Sequence, residues 1–150
     1  MSFPIFLKEL RKNFVLHAVA AHFNNGLLPA ALLFLFLSMF NDGPYFEHTV
    51  LHLIVLALCM IPVSFISGIR DWRTKFRGGR APIFYRKMWL SGLLFLEVGS
   101  AATLRLTHSE LLVDGFFKWL YIALIFGTLP VVVLLGHYGA KLAFELKPMR

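Results

Sequence analysis

The chain has 150 residues, is 58% hydrophobic and carries a formal net charge of +7. A mean hydropathy of +0.70 is too high for an ordinary soluble domain and points to membrane spans. The basic residues lie between and outside the apolar runs, so the charge is explained by membrane topology and argues against nucleic acid as the partner.

In chain order, Lys8, Arg11 and Lys12 precede a short apolar stretch, and Ala18 to Ala20 resembles a signal-peptide cleavage site. That stretch contains His17, so an uncleaved first helix is the better reading. Four segments follow, each long enough for a bilayer crossing, which takes about 20 residues. They span residues 13–40, 45–69, 82–107 and 116–146. Asn41 to Pro44 ("NDGP") makes a tight turn after the first. Pro62 and Pro130 predict kinks in the second and fourth, and Pro82 fits the first turn of the third. The single cysteine, Cys59, falls inside an apolar run and reads as a packing residue.

Orientation follows from the cations. Lys8, Arg11 and Lys12 lie before the first span, and Arg70, Arg73, Lys75, Arg77, Arg80, Arg86 and Lys87 lie around the central connection. Lys141, Lys147 and Arg150 lie near the end. The other two connections hold Asp42, with Glu47 nearby, and then Glu110 and Asp114, flanked by Arg105 and Lys118. The positive-inside rule places both termini and the central loop in the cytoplasm. The expected fold is all-α, a single integral-membrane up-down-up-down four-helix bundle. Gly68, Gly92, Gly99, Gly127 and Gly136 are positions where helices can approach closely.

Six histidines are present. Ionisable groups in a span usually face the bundle interior, and neutral imidazole is a common axial ligand of haem iron. His22 lies about 13 Å inside the first span and His137 about 15 Å from the end of the fourth, at 1.5 Å per residue. Both therefore fall in the cytoplasmic half, on different helices, as a bis-histidine haem b requires. Gly26 and Gly136 leave room for a flat macrocycle. Interior histidines bonded to carbonyls or to each other satisfy the same pattern. His17 points away from His22 on the helix wheel and is the weaker ligand of the two. On the outer side, His52 and His108 are candidates for a second haem, although their depths agree poorly. His48 and His108 also read as solvated interface residues, and His52 as a quinone contact.

Glu97 is a second intramembrane oddity, expected to be protonated or hydrogen-bonded. It lies about 16 Å inward of His108, near the depth of His52, which suggests a proton relay between Glu97 and His52. Packing against a Ser or Thr is the simpler alternative. In the central loop, Trp72, Tyr85 and Trp89 fit an interfacial aromatic belt, and the cations fit anionic membrane lipid. Arg70 and Arg73 are best placed to pair with haem propionates. "RGGR" lacks the context of a phosphate-binding loop, and no hydrolase motif is present.

His22-Phe23, "SGIRDW" at Ser67 to Trp72, "RKMWLSG" at Arg86 to Gly92 and "GHYGAKLAF" at Gly136 to Phe144 carry a resemblance. The chain resembles bacterial four-helix predicted membrane proteins of unknown function, thought to bind b-type haem. Their motifs are His-Phe in helix one, a Gly-x-x-Asp-Trp-like end of helix two, His-x-Trp-Leu-Gly opening helix three and Gly-His-x-Gly-Gly in helix four. Here Asn24 replaces a Pro, the helix-three His is missing with Lys87 or Met88 nearby, and Ala140 replaces a Gly. The resemblance implies haem at His22 and His137, in the bacterial cytoplasmic (inner) membrane.

The leading expectation is a small membrane cytochrome b with one haem b, or two. It would pass electrons between quinone or quinol and redox subunits holding iron-sulfur clusters, flavin or c-type haem. That makes it an electron-transfer subunit rather than a stand-alone enzyme. The alternative is a non-redox structural or proton- or ion-conducting subunit. A transporter would need a water-lined path through Glu97, His52 and Ser64, and no inverted repeat supports it.

Overall fold

A computed structural model describes residues 16–40, 43–108 and 115–144. It contains four helices: α1 (Leu16–Phe40), α2 (Gly43–Lys75), α3 (Pro82–Thr107) and α4 (Phe116–Phe144). All four are long and apolar enough to cross a membrane, as expected of a multi-pass membrane protein. Residues 13–15 of the expected first span, 145–146 of the expected fourth, and Asn41 and Asp42 of the expected turn lie outside the described residues. So do Lys8, Arg11, Lys12, Glu110, Asp114, Lys147 and Arg150.

The second helix continues past the expected end at residue 69 to Lys75. "RDWRTK" contains no breaker, and Asp71 pairs with Lys75 one turn on at 2.8 Å. The helix stops where Arg77 and Gly78 adopt positive φ (49° and 68°). The Gly78 N–H then donates to the Trp72 carbonyl at 3.1 Å, and Trp72 Nε1 donates to the Gly79 carbonyl at 2.9 Å. Ala81 is extended, and Pro82 opens α3 as expected. Pro29, Pro62 and Pro130 all lie inside their helices.

The helices close into a ring in which α1 packs on α2 and α4, and α3 packs on α2 and α4. The start of α1 meets the end of α2 through His17 and Ser64. The start of α3 meets the end of α4 through Lys87 and Gly139. Large apolar side chains lie on the outer as well as the inner face of each helix, so hydrophobicity alone does not mark the inner face. In α1 small and polar residues share that face with leucine, because packing rather than water exclusion holds helices together in lipid. α1 buries Ala20, Asn24, Leu28, Ala31 and Leu35, at steps of three and four. Val50, Ile54, Ala57 and Ile61 of α2, Leu94, Val98 and Ala101 of α3, and Tyr121, Ile125 and Val132 of α4 complete the core. Large apolar side chains such as Phe36, Leu56, Leu96 and Val133 are exposed on the outside, where lipid chains would cover them.

Candidate functional site

Polar side chains enter the bundle at three levels. At one end, Glu47 near the start of α2 is fully buried, with 0% of its surface exposed. Its Oε1 accepts from Arg105 Nε at 2.5 Å and from the Tyr121 hydroxyl at 3.2 Å. The cluster joins three helices. It also suits their dipoles, with an acid near the start of α2 and a base in the last turn of α3. In the sequence Glu47 and Arg105 stand beside connections; the structure joins them, with the carboxylate buried and the guanidinium partly exposed.

At mid-span, Glu97 packs on Gly127 of α4, where an added Cβ would lie 3.0 Å from Glu97 Oε1. Its Oε2 is buried without a hydrogen-bond partner, as are Asn24 Oδ1 and Glu47 Oε2. Glu97 therefore faces α4. His52 is exposed, with its Nδ1 2.7 Å from the His48 carbonyl of its own helix. No hydrogen bond joins the two residues of the expected relay.

At the end near the central connection, His17 turns inward. Its Nδ1 lies 2.8 Å from the Ser64 carbonyl, and its ring covers Gly68, where a Cβ would sit 2.9 Å from His17 Cε1. Lys87 enters from α3, its Nζ 3.8 Å from the position of a Cβ on Gly139. Glycines thus serve as notches for ionisable side chains at Gly68, Gly127 and Gly139. Gly92 and Gly136 have nothing within 4 Å of an added Cβ.

The helix wheel separates His17 from His22, as expected, but it is His17 that faces the interior. His17 stands three positions before Ala20, on the α1 stripe that continues through Asn24 and Leu28. That stripe of small and polar residues is the signal by which His17 is found. His22 is exposed, its Nδ1 2.7 Å from the Ala18 carbonyl. A carbonyl only accepts, so Nδ1 is the donor, and in the neutral ring Nε2 holds the lone pair. An open groove of about 650 Å³ runs beside it, lined by Ala18, Val19, His22, Phe23, Gly26 and Leu27. Gly26 has open space around it. His137 is also exposed, its ring edge-on to Tyr138 at 5.6 Å.

On the other side, the His52 ring meets His48 at 5.2 Å. His108 lies 4.4 Å from the Phe117 ring, with its Nδ1 2.9 Å from Thr107 Oγ1. Neither contact brings His52 and His108 together. Arg70 and Arg73 are exposed on the last turns of α2, and Cys59 is exposed rather than packed in the core. Among the described residues, no three His, Cys, Asp or Glu side chains are grouped to hold a metal ion. A bis-histidine haem needs two protein ligands; His22 lines a groove, whereas His137 meets Tyr138 of its own helix. No family model, curated protein or solved structure matches the chain.

Proposed function

We propose that the chain is a small integral-membrane b-type cytochrome, passing electrons between the quinone pool and a redox partner as a subunit of a larger complex. Its four helices run up-down-up-down in the bacterial cytoplasmic membrane, with both termini and the α2–α3 connection on the cytoplasmic side. The cations of that connection support the orientation.

The observation that carries the haem reading is the geometry of His22. The Ala18 carbonyl holds Nδ1–H, so the ring is oriented and Nε2 is free to ligate iron. Ala18 and Gly26 leave the adjacent groove open, and Phe23 and Leu27 give it apolar walls. A bound haem supplies one-electron chemistry at its iron. The chain supplies the ligand, its tautomer and an apolar surround that tunes potential. His22 and His137 are both exposed, so a haem held by them would lie at the outer surface of the bundle. His52 offers an equivalent free Nε2 on α2, available to a second haem or to quinone. Arg70 and Arg73 are the cations available to propionates. The resemblance to four-helix membrane proteins thought to bind b-type haem implies the same two ligands, His22 and His137.

The second reading is a proton-conducting subunit without haem. It is favoured by the inward-facing His17, Glu97 and Lys87 and by the buried oxygens of Asn24 and Glu97 that lack partners. A reduced-minus-oxidised spectrum of full-length protein from haem-replete cells separates the two. The cytochrome reading predicts a b-type signal; its absence, together with proton flux in liposomes, would establish the second reading.

A further inference from the structure

A second groove, distinct from that at His22, opens where the first turns of α3 face the last turns of α4. It measures about 640 Å³ and is lined by Arg80, Pro82, Tyr85, Arg86, Trp89 and Leu90 on one side. Leu134 and Tyr138 of α4 form the other wall. Pro82, Tyr85, Arg86 and Trp89 recur at steps of three, one and three, so they share one face of α3. Phe84 turns the other way, into the protein.

The groove is graded along its length. Arg80 lies two residues before α3 and Arg86 in its second turn, while Trp89, Leu90 and Leu134 lie further into the span. At 1.5 Å per residue α3 is about 39 Å long, so with a hydrocarbon core of about 30 Å its first turns stand at headgroup level. No carboxylate lines the groove. Arg80, Tyr85, Arg86 and Trp89 are all exposed, Trp89 to 81%. By contrast, Trp72 spends its indole N–H on the Gly79 carbonyl.

From this we infer that the α3–α4 groove is a binding site for one anionic phospholipid. The phosphate is paired by Arg80 and Arg86, since guanidinium groups match phosphate oxygens in a two-pronged geometry. Tyr85, Tyr138 and Trp89 are amphipathic and suit the ester region. An acyl chain runs along Leu90 and Leu134. The charge pattern selects the ligand: two cations and no acid at the head, with an apolar wall below it. The site depends on the chain lying in a membrane and is independent of any haem.

The test is native mass spectrometry of the full-length protein released from nanodiscs of phosphatidylcholine containing phosphatidylglycerol. One phosphatidylglycerol should stay bound in preference to phosphatidylcholine. Arg80→Gln with Arg86→Gln should weaken its retention by about thirtyfold at low salt. Arg77→Gln, which removes a cation of the same segment that does not line the groove, should leave retention unchanged. Added inorganic phosphate should not displace the lipid, because it has no acyl chain. Equal retention of the two lipids, an equal loss in Arg77→Gln, or displacement by inorganic phosphate would overturn the proposal. Circular dichroism of each variant confirms that the helices are intact, and Leu134→Trp, which fills the apolar end, tests the groove without touching a charge.

Discussion

Arg105 Nε donates to Glu47 Oε1 at 2.5 Å, tying the last turn of α3 to the start of α2 around a carboxylate with no exposed surface. Tyr121 completes the cluster from α4. Burying the Glu47 carboxylate is costly, and the cost is offset only while Arg105, itself partly exposed, is present.

Arg105→Leu leaves Glu47 buried with only the Tyr121 hydroxyl, and should cost about 3–5 kcal/mol. Glu47→Met combined with Arg105→Leu should recover most of that loss, because an apolar replacement of a buried pair is often neutral. Denaturant unfolding in detergent, followed by circular dichroism, measures both. A double variant as unstable as the single one would show that the charged pair itself, not the orphaned charge, sets the stability.

The glycine notches make a graded prediction. In Gly68→Ala the new methyl meets the His17 ring at 2.9 Å, and moving the ring breaks its bond to the Ser64 carbonyl. The expected loss is about 1–3 kcal/mol. Gly136→Ala meets open space and should be neutral or slightly stabilising. His17→Ala in the Gly68→Ala background should restore part of the loss. Equal melting temperatures for Gly68→Ala and Gly136→Ala would contradict the packing of His17 on α2.

Four apolar spans were readable from the sequence because spanning length and hydropathy are properties of composition. The azimuth of each side chain was not. Depth arithmetic placed His22 and His137 at similar levels, yet both turn outward, because in lipid an apolar face carries no instruction to turn inward. The inner face of α1 is spelled instead by Ala20, Asn24, Ala31 and, at its start, His17. Glu47 shows the same limit: it was counted with the acids near a connection, but a contact between residues 47 and 105 depends on how α2 meets α3. The Asp71–Lys75 spacing fits the α2 extension to Lys75, whereas the density of basic residues in the same segment reads as a loop.

Orientation is testable with the single cysteine removed. In a Cys59→Ser background, Arg77→Cys should react with a membrane-impermeant maleimide only in inverted vesicles, and Gly115→Cys only in intact cells. The opposite pattern would invert the topology. It would also move the cations around α3 to the outer face.

The haem content of full-length protein purified from haem-replete cells tests the central claim most directly. The pyridine haemochrome assay should find haem b in the wild type and in His17→Ala, whose ring is committed to packing on α2. It should find that haem lost in His22→Ala with the helices intact. A wild type without haem, or a His22→Ala variant that retains it in full, would contradict the account.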